Sequence, residues 1–232
     1  MVERMPSIAI ESIDMDKCYF NPGCAMSLYK PELPDMMLGL LRERFGSVKM
    51  HRVCCHHDPG LPAGSVIINN CAGCDRRFRK LYAGISTITY WEVLDSLPGL
   101  ELPDYGGLAV SVHDSCSFRC KPQAHEAVRS LLGKMNLHVV ESGFSREKSI
   151  CCGDNLYGHV PAERVEQFQR MRAAQMPCRD VVVTCISCIR SMTVGGKQPR
   201  YLPDLIFGRG TPLMHDTLEG YHDSLDAYIA AH

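Results

Sequence analysis

Residues 181–188 read Val-Val-Val-Thr-Cys-Ile-Ser-Cys, an apolar run that leads directly into a C-x-x-C pair. A short, fully apolar run is typical of a strand buried on both faces. Residues 108–116 show the same arrangement, because the apolar stretch 108–112 leads to Cys116. The sequence therefore predicts that cysteines lie just beyond the ends of buried strands.

The cysteines repeat in a fixed order. Thirteen of the 232 residues are cysteines, and ten of them follow one pattern twice: a single cysteine, an adjacent pair and a C-x-x-C. The first copy is Cys24, Cys54, Cys55, Cys71 and Cys74, and the second is Cys116, Cys151, Cys152, Cys185 and Cys188. Between the pair and the C-x-x-C, the first copy has 15 residues and the second has 32. The pattern predicts two related halves, the first of which lacks one helix.

Helical spacing of apolar residues follows the strand segments in both copies, as in 122–135 and 161–176. Strands that alternate with helices predict parallel β-α-β units, whose loops meet at the carboxyl edge of a sheet. We therefore predict an α/β fold with two pseudo-repeated parallel halves and a metal-cluster site at the C-terminal strand ends of each.

Turn-rich stretches at 97–99 and 103–107 predict a boundary between the halves. This places the first half at residues 1–105 and the second at 106–232. The second half is expected to end in a helix after Thr211 that docks on the body of the protein through apolar residues at helical spacing. Those residues are Leu218, Tyr221, Leu225 and Ile229.

Composition excludes several classes of protein. The formal net charge is -1, which gives no electrostatic basis for binding nucleic acid. No apolar run reaches the roughly 18 residues of a membrane span, and the N-terminus has no apolar core of signal-peptide length. We therefore expect a cytoplasmic protein without a membrane span. Thiols stay reduced there, so the cysteines indicate metal or redox chemistry.

Thiolates favour zinc, copper(I) and iron–sulfur clusters. A structural zinc ion needs four ligands, whereas each copy offers five cysteines. Adjacent cysteines diverge on extended backbone, so a cluster of several irons uses both more readily than one small ion does. The cysteines outside the pattern, Cys18, Cys120 and Cys178, are interpreted as small buried hydrophobic residues.

Several histidines and one run of basic residues allow more than one interpretation. His56 and His57 follow a cysteine pair and are either metal ligands or turn residues. His113 is expected to form hydrogen bonds that orient its loop. The basic run 76–80 is interpreted as a solvated helix face, with a docking patch as the other interpretation. No flavin or nicotinamide motif is visible.

The sequence Cys151-Cys152-Gly153, preceded by Cys116 and followed by the C-x-x-C at Cys185, resembles the cysteine-rich CCG domain. This domain occurs twice in the B-type subunit of heterodisulfide reductase, and in iron–sulfur subunits of glycolate, lactate and glycerol-3-phosphate oxidising systems. The segments 21–24 (Asn-Pro-Gly-Cys) and 113–116 (His-Asp-Ser-Cys) are similar to the starts of its two domains. The resemblance extends from about Tyr19 to the end of the second copy.

The resemblance implies a noncubane [4Fe-4S] cluster in each half, bound by the five cysteines of that half. It further implies that a small disulfide binds between the clusters and is reduced in two one-electron steps. The electrons come from a separate iron–sulfur subunit of a complex. The expected function is thus a cytoplasmic oxidoreductase subunit, similar to the B-type subunit of heterodisulfide reductase, that reduces a disulfide or oxidises the corresponding thiols.

The first copy departs from the family pattern. His56 stands where the family has glycine, and the helix after the cysteine pair is missing. The resemblance also allows zinc in the first half and a cluster in the second, as in some relatives. Zinc here would use four of the five cysteines or include His56. The alternative function is a non-catalytic electron-relay or docking subunit of a larger dehydrogenase, stabilised by zinc or a cluster.

Overall fold

Two four-stranded parallel sheets organise the chain in the computed structural model, which describes Ile10 and residues 13–232. The first sheet contains β1 (Cys18–Asn21), β2 (Lys49–Met50), β3 (Val66–Asn69) and β4 (Ser86–Thr89), in the order β2-β1-β3-β4. The second contains β5 (Ala109–His113), β6 (His138–Val139), β7 (Asp180–Val183) and β8 (Gln198–Tyr201), in the order β6-β5-β7-β8. The identical strand order confirms the predicted α/β fold with two repeated parallel units.

Helices cover the sheets. They are α1 (Cys24–Tyr29), α2 (Leu33–Phe45), α3 (Ala72–Leu81), α4 (Tyr90–Ser96), α5 (Pro122–Lys134), α6 (Ala162–Ala174), α7 (Ile186–Val194), α8 (Leu202–Ile206) and α9 (Leu218–Ala231). Helix α6 joins β6 to β7, whereas the corresponding connection from β2 to β3 contains no helix. The predicted loss of one helix from the first copy is confirmed.

One hydrophobic core runs through both units. Phe20 on β1 and Val112 on β5 are fully buried in the same cluster of apolar side chains, together with Trp91 of α4 and Leu131 of α5. Helices α4 and α5 pack on each other, which joins the two units. The apolar run at 181–183 is also fully buried, as its composition predicts.

Strand β2 is short: it lies at the edge of its sheet and pairs with β1 through two residues only. The chain then turns away after one further hydrogen bond, in which the His51 N–H donates to the Phe20 carbonyl at 2.8 Å.

The division of the chain between residues 105 and 106 stays a prediction. Within the described part of the chain, no helix has the length and apolar character needed to cross a bilayer.

Helices α6 and α7 approach unusually closely at Gly195. A Cβ atom on Gly195 would lie 2.1 Å from the Cβ of Ala173. We expect Gly195→Ala to lower the free energy of unfolding by about 1–3 kcal/mol through overpacking. Gly133→Ala is the matched control, since nothing lies within 4 Å of its added Cβ on α5. That control should be stabilising by up to about 1 kcal/mol. Urea unfolding curves that give both variants the same stability would contradict this packing argument.

Candidate metal centre

The predicted cysteines lie at the carboxyl edges of the two sheets. Cys24 is the first residue of α1, directly after β1, and Cys71 caps α3 after β3. In the second unit, Cys116 starts a short 3-10 helix after β5, and Cys185 caps α7 after β7. The adjacent pairs follow the edge strands β2 and β6. Parallel strands thus bring all five cysteines of each copy to one edge.

The five thiols of the first copy form a chain of sulfur contacts. Cys24 contacts Cys54, Cys54 contacts Cys55, Cys55 contacts Cys74, and Cys74 contacts Cys71. Three of these cysteines are buried, while Cys24 and Cys71 are partly exposed. The first copy therefore gathers its five thiols into one continuous row.

The second copy forms the same chain in the same order. Cys116 contacts Cys151, Cys151 contacts Cys152, Cys152 contacts Cys188, and Cys188 contacts Cys185. Each member corresponds to one member of the first copy by its place in the repeat. The shortened first unit has therefore kept the arrangement of thiols.

In each row, the thiolate form is favoured most strongly at the first cysteine of the adjacent pair. Hydrogen bonds from Cys24 and then Cys55 hold the pKa of Cys54 far below its usual value. Hydrogen bonds from Cys116 and then Cys152 do the same for the pKa of Cys151. The thiolate is the form that binds metal. Both rows therefore present an anionic sulfur at the first position of the adjacent pair.

The residue after each pair explains the departure of the first copy from the family pattern. Gly153 has a φ of +111°, and a Cβ there would lie 2.9 Å from Cγ of Gln169 on α6. The Gly153 N–H also donates to Cys151 Sγ at 3.3 Å. His56 occupies the equivalent position in the unit that lacks this helix, and its φ is not positive. Glycine is thus required where α6 packs on the turn, and histidine is accommodated where no such helix exists.

Gly23 lets the backbone at the start of α1 pass close to the C-x-x-C of the first row. Its φ is +83°, and an added Cβ would lie 2.9 Å from Cβ of Cys71 and 3.6 Å from Sγ of Cys74. Only glycine allows α1 to start at this distance from the C-x-x-C.

Both rows of thiols open onto one cavity of about 320 Å³. All ten cysteines of the repeat contribute to its wall; they are Cys24, Cys54, Cys55, Cys71, Cys74, Cys116, Cys151, Cys152, Cys185 and Cys188. Helix α9 provides the opposite wall through Tyr221, Leu225 and Ile229, which share one helix face. The predicted docking of the C-terminal helix is confirmed, since Leu218 and Tyr221 are fully buried.

The two histidines of the first loop differ in position. His56 lines the cavity beside the first row. His57 is exposed, and its Nε2 lies 3.2 Å from the carbonyl oxygen of Ile229 at the end of α9. Of the two, only His56 is placed near the thiols, so the ligand interpretation of His57 is not supported.

The basic run 76–80 is not simply a solvated face. Arg76 and Arg77 line the cavity, and Arg77 Nε donates to the Cys55 carbonyl at 3.3 Å. Arg79 Nε donates to the buried carboxylate of Asp75 at 2.9 Å. Lys80 is exposed, so the solvated-face interpretation holds for that residue. The run therefore places positive charge beside the first row of thiols.

All thirteen cysteines are free thiols. Cys18 is fully buried in the core, as expected for a small hydrophobic residue. Cys120 and Cys178 are only half-buried, so the interpretation of these two as buried hydrophobic residues is wrong. Arg79 donates a hydrogen bond to Cys120 Sγ at 3.7 Å, and Cys178 lies in the turn before β7. None of the three lines the cavity.

Two further residues lie at the second row. His113 ends β5, is 1% exposed, and burial lowers its pKa to about 4. Neither of its ring nitrogens forms a hydrogen bond within the described residues, so the prediction that its side chain orients the loop in that way is wrong. Arg172 on α6 is fully buried, and its charge acts on Cys188, Cys152 and Cys151. No local motif marks Arg172, so sequence patterns could not identify it.

The donor set fits a metal group wider than a single ion. In a tetrahedral zinc site, Zn–S bonds of about 2.3 Å place sulfur atoms about 3.8 Å apart. Within the described residues, only His113, Cys152 and Cys188 form a group of three ligand atoms that all lie within 4.8 Å of one another. The remaining thiols extend along a row, an arrangement that suits a multi-metal cluster such as an iron–sulfur centre.

The comparison with known families agrees with this geometry. Residues 110–193 match the family described as CCG, the cysteine-rich domain, which is typical of iron–sulfur oxidoreductase subunits. The match runs from β5 to α7 and includes Cys116, both adjacent cysteines and the C-x-x-C. No curated protein matches the chain. This part of the second unit is therefore similar to the cysteine-rich CCG domain.

Proposed function

We propose that this protein is an iron–sulfur oxidoreductase subunit, similar to the B-type subunit of heterodisulfide reductase, that reduces a small disulfide or oxidises the corresponding thiols. Each five-cysteine row would hold one noncubane [4Fe-4S] cluster. The first unit, residues 1–105, would be a diverged copy of the CCG domain in residues 106–232.

The observation that carries the proposal is the shared cavity. Its volume of about 320 Å³ is at the lower end of the range for small-molecule sites. Both rows of thiols line it, so one small substrate would contact the two metal groups together. A pure electron relay has no need of such a space between its centres.

The stoichiometry of the reaction matches two one-electron centres. Reduction of a disulfide breaks one S–S bond, consumes two electrons and two protons, and gives two thiols. The bound clusters would supply the electrons one at a time. Because the chain has no flavin or nicotinamide motif, the electrons would come from a partner iron–sulfur subunit.

Side chains around the cavity would bind the substrate and exclude water. The apolar face of α9, with Leu225 and Ile229, covers the site. Ser187 Oγ and Tyr221 Oη both line the cavity and share a hydrogen bond at 2.8 Å. Because one hydroxyl donates to the other, one O–H remains free and would donate a hydrogen bond to a thiolate product, while protons enter from the solvent.

The test is metal and sulfide analysis of protein purified without oxygen, followed by reduction with dithionite and mixing with small disulfides. We expect about eight irons per chain if both rows hold four-iron clusters. Each disulfide consumed should reoxidise two reduced clusters and release two thiols. A content of four irons and one zinc per chain would instead indicate one four-iron cluster and one zinc site.

Other results would overturn the proposal. Zinc alone would identify a metal-stabilised docking subunit. Iron-loaded protein whose clusters no disulfide reoxidises, and whose resonance spectrum no disulfide changes, would identify an electron relay.

A further inference from the structure

The His113 side chain has a polar edge with no protein partner. It is 1% exposed, and neither ring nitrogen forms a hydrogen bond within the described part of the chain. Burial of a polar group without a hydrogen bond is unfavourable, because the group loses its water and gains nothing in exchange. Such a group in a folded protein needs an explanation, and a bound water, ion or ligand is one of them.

The position of the ring identifies that partner. One ring nitrogen lies within 4.8 Å of Sγ of both Cys152 and Cys188, and both of those cysteines are buried. His125 on α5 is also buried without a hydrogen-bond partner, but it belongs to no such group of ligand atoms among the described residues. Proximity to the thiols therefore distinguishes His113 from His125.

The first unit has a different residue at this position. Asn21 ends β1 three residues before Cys24, as His113 ends β5 three residues before Cys116. The Asn21 amide already donates to the His51 carbonyl at 3.2 Å, so its N–H group is used within the protein. The buried charge of Arg172 also belongs to the second row alone, because α6 has no counterpart in the first unit.

We propose that His113 donates a ring N–H to a sulfur atom of the metal group held by the second row, and that this raises the reduction potential of the second centre. The inference rests on the proposed function. Hydrogen bonds to cluster or ligand sulfur raise the reduction potential, because they stabilise the more negative reduced state. The positive charge of Arg172 acts in the same direction. His113 is thus a positioning residue that tunes the potential of the second centre.

The test is His113→Asn, which introduces the residue that the first unit has at this place. Potentiometric titration of the iron-loaded protein, followed by paramagnetic resonance, should show a lower potential for the second centre. We expect the reduction equilibrium to fall at least tenfold, about 59 mV for one electron. Iron content should be unchanged. His125→Asn is the matched control and should leave both potentials as they are.

A second measurement needs no variant. With ¹⁵N-labelled histidine, electron–nuclear double resonance of the reduced protein should detect a weak nitrogen coupling at the second centre. The coupling should vanish in His113→Asn and persist in His125→Asn.

Three results would overturn the inference. One is an iron-loaded wild type without nitrogen coupling. The second is an unchanged potential in His113→Asn. The third is loss of iron in that variant together with a coupling of directly bonded strength, which would make His113 a ligand. In each of these cases the proposed function stands, whereas wild-type protein that binds no iron would refute the proposed function itself.

Discussion

Replacing Cys152 with serine is expected to remove the metal group from the second row and to abolish disulfide-dependent electron uptake. Cys152 is 4% exposed and lies in the middle of its row, in contact with Cys151 and Cys188. Removing this sulfur leaves a gap in the middle of the row, and its buried position prevents water from taking its place. Changes to residues that only support a metal ligand typically reduce activity 10–100-fold, so loss of a ligand should reduce it by more than about 100-fold. Iron should fall to about half of the wild-type content, since one of two four-iron groups is lost.

Two cysteine variants serve as controls for this experiment. Cys55→Ser removes the equivalent sulfur from the first row and should lower iron by the other half. Cys178→Ser removes a half-buried thiol that lies outside the cavity, and it should keep both iron and turnover. Iron analysis and a stopped-flow assay of cluster reoxidation would measure these effects. Wild-type iron and turnover in Cys152→Ser would exclude the ligand role.

Local sequence patterns were sufficient to predict the repeated fold. The buried strand at 181–183 needs only its unbroken apolar composition to be recognised. The missing helix follows from the shorter spacing between Cys55 and Cys71. The meeting of the cysteines at one edge follows from parallel strands, because their carboxyl ends all face the same way. These features depend on neighbours in the chain or on topology alone.

Contacts between distant elements could not be predicted in this way. The shared cavity depends on how the two units pack, and no periodicity encodes that packing. The need for Gly153 arises from Gln169 on α6, which lies 16 positions later in the chain. The His113 ring has no hydrogen-bond partner among the described residues because of its surroundings in the fold. From the sequence alone, a histidine at the start of a loop is expected to form hydrogen bonds with that loop. Side chains that act through tertiary surroundings are therefore the ones that sequence patterns do not reveal.

Replacing Lys30 with methionine should lower stability by more than Gly195→Ala does. Lys30 Nζ lies 2.9 Å and 3.2 Å from the two carboxylate oxygens of Asp204, and both residues are buried. The pair connects the end of α1 in the first unit to α8 in the second. Removing one partner of a buried pair leaves an uncompensated charge and typically lowers the free energy of unfolding by about 3–5 kcal/mol.

The effect of Lys30→Met should depend on pH. Burial raises the pKa of Asp204 above its usual value, and hydrogen bonds from Lys30 and Thr211 oppose this rise. In the variant, the Lys30 hydrogen bond is gone, so the pKa of Asp204 rises further. The folded variant then binds a proton more tightly than the unfolded chain, so its stability falls as the pH rises from about 4 through the folded pKa. The loss should be greatest at neutral pH and smaller in acid.

Asp204→Asn provides the decisive comparison, because an uncharged amide can still accept the hydrogen bond that Thr211 donates at 2.8 Å. The double variant Lys30→Met/Asp204→Asn should recover most of the stability lost in Lys30→Met, since no buried charge is left unpaired. Anaerobic urea titrations at pH 7 and pH 5, followed by circular dichroism at matched metal content, would measure all three variants. A cost for Lys30→Met below about 1 kcal/mol, or one that is the same at both pH values, would show that Asp204 does not carry a buried charge. Recovery in the double variant would instead show that the cost of Lys30→Met comes from the charge left unpaired on Asp204, rather than from loss of the contact between the two units.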